Sequence, residues 1–133
     1  MIHESFANQV LESYILGSGT PANVYIALLR TMPEFGDDGG DLDEPTAAGY
    51  QRLEVANTRD NFSEAANGAL TNVTTFEFPP APQDYGLVRG WAICDAASAG
   101  TLMFSFSSTQ RFVREGQKSM IIKNSANVRF RDV

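Results

Sequence analysis

The chain has 133 residues, a net charge of −6 and a hydrophobic content of 43%, which suit one globular domain with a substantial core. The composition excludes an intrinsically disordered chain, the acidic balance argues against nucleic-acid binding, and no apolar run is long enough for a membrane-spanning helix. The single cysteine, Cys94, excludes an internal disulfide framework and a four-cysteine metal site.

Residues 1–17 contain the segment with the clearest helical periodicity. Apolar side chains recur there every three or four positions, and Gly17 is a natural helix end. The segment therefore predicts one short amphipathic helix ahead of an all-β pattern. Its apolar face, which includes Phe6 and Val10, is expected either to close the end of the β-fold or to pack on a neighbouring subunit.

A short apolar strand at Val24–Leu29 leads into an acidic loop over residues 34–45. Six of the eleven residues from Glu34 to Glu44 are acidic and three are glycine, which predicts an exposed, irregular loop. Because Ca²⁺ prefers oxygen ligands, the loop also offers weak calcium candidates. These are Asp37, Asp41 and Asp43. Their spacing does not match the EF-hand pattern, so a solvated loop is favoured over a metal site.

Two more strands are expected between residues 49 and 78. The first, residues 49–57, buries its apolar side chains and turns Arg52 and Glu54 outward. The second, residues 70–78, alternates between apolar and polar side chains and ends at a run of prolines. Proline ends the strand because it cannot donate a hydrogen bond to the neighbouring strand.

The centre of the core is predicted to be a β-hairpin over residues 85–106. Its turn is bounded by Asp95 and Gly100, residue types that favour tight turns. The first arm is apolar on both faces, with Trp91 on one face and Val88 on the other. A strand of this kind lies centrally in its sheet or is covered on its second face.

Three short segments follow the hairpin, at residues 111–114, 120–122 and 128–130, and residues 120–122 are predicted as a buried run. The chain lacks the alternation of helices and strands that a parallel α/β sheet requires. Seven or eight strands separated by short turns therefore predict a single all-β domain over residues 1–133, an antiparallel β-sandwich of the jelly-roll-like type.

Charge is distributed unevenly along the chain. Thirteen of the 16 acidic residues precede residue 89, and seven of the ten basic residues follow residue 88. The two parts either meet across a contact between copies or form ordinary solvated surface. The basic interface candidates are Arg111, Arg114, Arg129 and Arg131, and the acidic ones are Asp37, Asp38, Asp41 and Asp43.

Few residues are suited to catalysis. His3 is the single histidine, and a site that pairs a nucleophile with histidine would have to use it. A carboxylate pair such as Asp84 and Asp95 is a remote alternative, although Asp95 has a simpler role in the hairpin turn. The sequence has no glycine-rich phosphate loop and no dinucleotide motif. We therefore expect a protein that is not an enzyme and that binds no cofactor and no metal.

Six short motifs follow one another along the chain. They are Val24-Tyr25-Ile26-Ala27-Leu28, Gly49-Tyr50-Gln51-Arg52, Phe78-Pro79, Tyr85-Gly86-x-Val88, Ile93-x-Asp95-Ala96-Ala97 and Gly100-x-Leu102. Together with an N-terminal helix and a glycine-rich acidic loop, this layout resembles short bacteriophage virion proteins of the tail-fibre and head-decoration type. The resemblance covers nearly the whole chain and implies no catalytic residues.

The resemblance implies a structural protein of the virion, made in the host cytoplasm. A capsid decoration or cement protein is the main expectation, acting as a homo-oligomer, expected to be a trimer, and bound to other virion proteins such as the major capsid protein. A tail-fibre or baseplate module that binds a host surface is the alternative, and a small hydrolase is the remote one. Exposure of Trp91 or Tyr85 in a groove would favour the tail-fibre alternative, whereas a buried Trp91 would count against it.

Overall fold

The computed structural model describes residues 1–8, 10, 21–58, 60–62, 69–123, 125 and 128–129. Within them, eight strands and one short 3₁₀-helix, Gly39–Asp41, follow a short N-terminal helix. The strands are β1 (Asn23–Leu29), β2 (Leu53–Ala56), β3 (Ala69–Leu70), β4 (Phe76–Glu77), β5 (Gly86–Cys94), β6 (Leu102–Val113), β7 (Met120–Ile121) and β8 (Val128–Arg129). The pairings between these strands are antiparallel.

The main sheet has four strands in the order β2-β1-β5-β6, and two ribbons of two strands, β3-β8 and β4-β7, complete the described fold. In the turn between β5 and β6, the backbone N–H of Thr101 donates to the Asp95 carboxylate at 2.7 Å, and Gly100 adopts a positive φ of 75°. The predicted hairpin and its turn are confirmed. The all-β antiparallel class is also confirmed, whereas the jelly-roll-like sandwich within that class stays a prediction.

The larger core cluster lies between the main sheet and the β4-β7 ribbon. Ile26 of β1 and Trp91 and Ile93 of β5 share it with Phe76 of β4 and Ile121 of β7. Apolar burial of this kind contributes about 25 cal/mol per Å² removed from water. The cluster explains why these strands carry β-branched and aromatic side chains.

A smaller cluster occupies the opposite face of the main sheet. It consists of Ala27, Leu29, Ala92, Cys94 and Leu102. Met32 and Leu42 pack over it, so the segment that follows β1 covers this second face. The Cys94 thiol is fully buried there, and burial raises its pKa to about 11. The expectation that the first hairpin arm is covered on both faces is thus confirmed.

A β-bulge interrupts the pairing of β5 with β6. Val88 pairs with Arg111 and Gly90 pairs with Ser107, so three residues of β6 stand opposite the single residue Arg89. The bulge changes the alternation of side chains along β6. In β5, Val88 joins the same cluster as Trp91, so the prediction that the two lie on opposite faces is wrong.

Several predicted boundaries differ from the observed ones. The segment 49–57 is a strand only at β2, the segment 70–78 divides into β3 and β4, and residues 111–113 continue β6. Of the predicted helix, residues 4–8 and 10 are helical, and positions 9 and 11–17 lie outside the described residues. No described helix has the length and apolar character needed to cross a membrane.

The predicted buried run at residues 120–122 is wrong in two of its three positions. Ile121 is buried, whereas Met120 and Ile122 are 52% and 55% exposed. Successive side chains of a strand point to opposite faces, so a two-stranded ribbon with one face on the core leaves its other face in solvent. These two side chains therefore add apolar area to the surface.

The N-terminal residues pack along the outer edge of β6. Ile2 pairs with Phe104, and the backbone N–H of His3 donates to the Met103 carbonyl at 3.2 Å. Phe6, in the first helical turn, packs edge to face on Phe104 with ring centroids 4.9 Å apart. The start of the helix therefore covers part of the sheet of its own chain, which is one of the two roles expected for it.

Candidate functional site

Arg52 lies buried between the acidic loop and the turn of the hairpin, with 2% of its side chain exposed. Its Nε and Nη2 atoms donate to the Glu44 carboxylate at 3.0 and 2.9 Å. Three further hydrogen bonds, each 2.9 Å long, reach the carbonyl oxygens of Gly39, Ala96 and Ala99. The prediction that Arg52 faces outward is wrong, because acceptors from distant parts of the chain match all five guanidinium donors.

The surroundings of Arg52 hold its charge in place. Burial lowers the pKa of Arg52, but hydrogen bonding to Glu44 and the charges around the guanidinium together outweigh burial and keep that pKa above its usual value. Tyr50 Oη donates to the same carboxylate at 2.8 Å and accepts from the Leu28 N–H at 3.0 Å. Burial, with the charge of Glu44, raises the pKa of Tyr50. Neither Arg52 nor Tyr50 titrates near neutral pH, so the pair is unsuited to acid–base catalysis. Their hydrogen bonds join the acidic loop to the sheet.

The acidic loop is attached to the fold through Asp38. Its carboxylate accepts hydrogen bonds from Ser5 Oγ, the Gly39 N–H and the Leu102 N–H at 3.0, 3.0 and 2.7 Å. Burial raises the pKa of Asp38, but these hydrogen bonds outweigh burial and hold that pKa below its usual value. The loop is anchored to the sheet through Asp38, whereas Glu34, Asp41 and Asp43 are exposed, so much of the acidic loop is solvated, as the sequence predicts.

The three calcium candidates do not converge. Each accepts a hydrogen bond from a nearby residue: Asp37 from the Glu34 N–H, Asp41 from the Asp38 N–H and Asp43 from Thr31 Oγ1. Across the described parts of the chain, no three His, Cys, Asp or Glu side chains gather where they could hold a metal ion. The carboxylates instead order the backbone of the loop.

His3 is buried between the N-terminal segment, the acidic loop and β6. Its Nδ1 lies 3.0 Å from the Glu34 carbonyl and 3.3 Å from the Phe35 carbonyl, so Nδ1 carries the proton, and Nε2 accepts from Ser105 Oγ at 2.7 Å. Burial lowers the pKa of His3, and the two carbonyl groups oppose that shift. A catalytic histidine would be oriented by a carboxylate and open to substrate. This serine–histidine contact is buried and oriented by backbone, which fits a structural role.

An open groove of about 1180 Å³ runs beside β2, and we call it the proline groove. One wall is the exposed proline run, which comprises Pro79, Pro80 and Pro82. Tyr50 and Tyr85, packed edge to face with ring centroids 5.4 Å apart, line it together with the carboxylates of Glu44 and Glu54. Tyr85 is only 8% exposed, so the groove presents little aromatic surface from that ring.

A second cavity, of about 420 Å³, lies between the bulged part of the β5-β6 pair and β7, and we call it the bulge pocket. Its apolar lining includes Leu28, Val88, Trp91, Val113 and Ile121. Its polar lining comprises the hydroxyl groups of Ser107, Ser108, Thr109, Ser119 and Ser125 and the guanidinium of Arg111. From the sequence alone, these hydroxyl residues are predicted only to face solvent. The one feature of the sequence that indicates a pocket is their concentration beside an apolar strand.

The predicted interface residues are distributed over different surroundings. Arg111 lines the bulge pocket, and the Arg114 guanidinium lies 4.8 Å from the centre of the Phe112 ring, a cation–π contact. Arg129 belongs to β8, Arg131 lies outside the described residues, and Val10 is 37% exposed. The acidic candidates accept hydrogen bonds from residues of the same chain, and the expected meeting of a basic face with that loop stays a prediction.

Trp91 is buried, although it is among the residues that line the bulge pocket. It is 6% exposed and stacks on Phe106 with ring centroids 4.3 Å apart. Its burial counts against the tail-fibre alternative, for which an exposed Trp91 is the expected sign.

Comparison with known proteins places the chain in a family. Residues 2–130 match the family model described as Podophage GP4 fiber I protein gp80. No curated protein matches the chain. The match includes every described strand, so it extends over the complete arrangement of sheets. The chain therefore belongs to the Podophage GP4 fiber I protein gp80 family and is a bacteriophage virion structural protein.

Proposed function

We propose that the chain is a structural subunit of a phage tail fibre that exposes part of its surface to the host cell. The observation that carries this proposal is the match of residues 2–130 to a fibre family, since a match of that extent covers the fold and not one isolated motif. A capsid decoration protein, the main expectation from the sequence, becomes the competing assignment, because the family description names a fibre.

A role without catalysis is part of the same proposal. His3 and Arg52 carry side chains of types used in catalysis, and their polar atoms are hydrogen-bonded inside the fold. An enzyme needs such groups within reach of a substrate. Their internal use supports a protein that acts through contacts with other molecules.

We further infer that copies of the chain associate with one another and with other virion proteins, as a trimer in the simplest arrangement. Phe35 and Phe112 are each about half exposed, and exposed apolar side chains of this size are typical of association surfaces. Sedimentation of the purified chain at low and high salt tests this inference. Arg114→Glu is expected to weaken association. Finding the unmodified chain as a monomer at all concentrations would contradict the inference of self-association.

Labelling of intact virions tests the assignment to the fibre. Gold-labelled antibody fragments against the purified chain are expected to decorate the tail in electron micrographs. Excess purified chain is expected to slow adsorption of the phage to its host, because it occupies the same surface sites. Labelling confined to the head would overturn the fibre assignment and favour the decoration protein.

A further inference from the structure

The bulge pocket exists because the β5-β6 pair is irregular. Where three residues of β6 stand opposite Arg89, the second strand bows away from the first. Bulges of this kind often lie beside functional sites, since they redirect side chains without breaking the sheet. The resulting cavity of about 420 Å³ falls within the range of roughly 300–1,000 Å³ that is usual for small-ligand sites.

The lining of this pocket has two chemically distinct parts. The inner part is apolar and is contributed by the buried core, with Val88 and Trp91 among its members. The rim carries five hydroxyl side chains, of which Ser125 already donates to the Ile122 carbonyl, and the other four are able to donate and to accept a hydrogen bond. Arg111 supplies the positive charge, and the described lining of the pocket contains no carboxylate.

Arg111, unlike Lys118 and Arg114, has no partner among the described residues of its own chain. Lys118 pairs with Glu77 at 2.9 Å, and Arg114 lies over the Phe112 ring. Within the described part of the chain, Arg111 makes no ion pair, and it is exposed at the pocket. A guanidinium in this setting can take both oxygens of a ligand carboxylate.

We propose that the bulge pocket binds a carboxylated sugar of the hexuronic acid class. The sugar carboxylate pairs with Arg111, its hydroxyl groups bond the serine and threonine rim, and its C–H face packs on the apolar floor. A simple aliphatic acid would satisfy the arginine and leave the hydroxyl rim unmatched. The proposal rests on the proposed fibre function, because such sugars would be met on a host surface polysaccharide.

The proline groove is less suited to this ligand. Its lining contains Glu44 and Glu54, and a carboxylated sugar there would meet like charge. The Arg52 guanidinium at that groove already has five acceptors and is not free to bind a ligand. Charge and hydrogen-bonding capacity therefore favour the bulge pocket.

Two-dimensional NMR titration of the full chain with glucuronic acid, glucose and acetate tests the proposal. We expect glucuronic acid to shift the resonances of residues 107–111, with glucose and acetate far weaker. Arg111→Gln should weaken glucuronic acid binding about tenfold or more and remove its advantage over glucose. Arg89→Gln is the matched control, because Arg89 is also an exposed arginine of this strand pair but does not line the pocket.

Ser108→Asp supplies a second test that leaves Arg111 in place. The new carboxylate on the rim should repel the sugar carboxylate and abolish binding. Failure of glucuronic acid to shift the pocket resonances, equal binding of acetate, or equal losses in Arg111→Gln and Arg89→Gln would each overturn the proposal. Those results concern the pocket alone, whereas virion labelling at the head would overturn the fibre function, so the two failures are distinguishable.

Discussion

Arg52 and Arg111 both contact the β5-β6 hairpin, Arg52 at its turn and Arg111 within its second strand. Arg52 is buried and bonded to five acceptors of its own chain, whereas Arg111 is exposed beside a cavity and has no ion pair in the described residues. The two arginines carry the same charge and differ in how many of their donors the fold already uses, which is why only Arg111 is proposed to bind a ligand.

The largest expected effect comes from removing the Glu44 carboxylate from its hydrogen bonds with Arg52 and Tyr50. Glu44→Ala leaves the Arg52 guanidinium buried without its anion, and we expect the free energy of unfolding to fall by about 3 kcal/mol in urea titrations. The matched control is Asp43→Ala. Asp43 pairs with Arg30 at 3.8 Å with both side chains more than 40% exposed, so its loss should stay below about 1 kcal/mol. Equal losses would show that burial of the pair is irrelevant.

A smaller effect is expected where the loop meets the hairpin turn. In Gly39→Ala the new methyl group would overlap the Ala99 carbonyl oxygen and lie 2.7 Å from the Gly100 oxygen. We expect a loss of about 2 kcal/mol in thermal or urea unfolding. Gly40→Ala serves as the control, since its methyl group would lie 3.8 Å from Ala99 Cβ, an ordinary contact. A harmless Gly39→Ala would mean that the loop is not packed on the turn.

Two serines of β6, Ser105 and Ser107, differ in their surroundings. Ser105 is buried and donates to His3, so Ser105→Ala should cost about 1 kcal/mol because the His3 Nε2 loses its donor. Ser107 lines the bulge pocket and is exposed, so Ser107→Ala should change stability by less than about 0.5 kcal/mol. Urea unfolding of both variants measures the difference. A larger loss in Ser107→Ala would place the pocket rim among the structural contacts.

The smallest expected effect is a dependence of stability on pH through His3. Burial holds the pKa of His3 in the folded state below its usual value of 6.5, so on acidification the unfolded chain takes up the proton first. The stability that comes from burying neutral His3 is therefore fully present above about pH 6.5 and is lost as the pH falls below that value. The Met1 amino group and the Asp37 carboxylate act on the ring with opposite signs. Melting temperatures of the parent and His3→Gln should converge on acidification, and parallel curves would exclude the histidine as the cause.

Much of the fold follows from local patterns. The strand at Val24–Leu29, the hairpin and the Asp95 turn are each specified by residues close together in the chain, and each agrees with the structure. The burial of Arg52 depends on carbonyl groups 44 and 47 positions away, which no local pattern reveals. The bulge depends on how two strands align, so the pocket beside Arg111 could not be predicted either.

The burial of Cys94 has a practical consequence for work on the assembled particle. A fully enclosed sulfur with a pKa of about 11 is almost entirely in its unreactive thiol form at neutral pH. A new cysteine introduced at the exposed Thr109 would therefore react alone with a maleimide reagent, while the natural sulfur stays in place. With that one substitution, the chain is suited to single-site attachment of a fluorophore or gold particle.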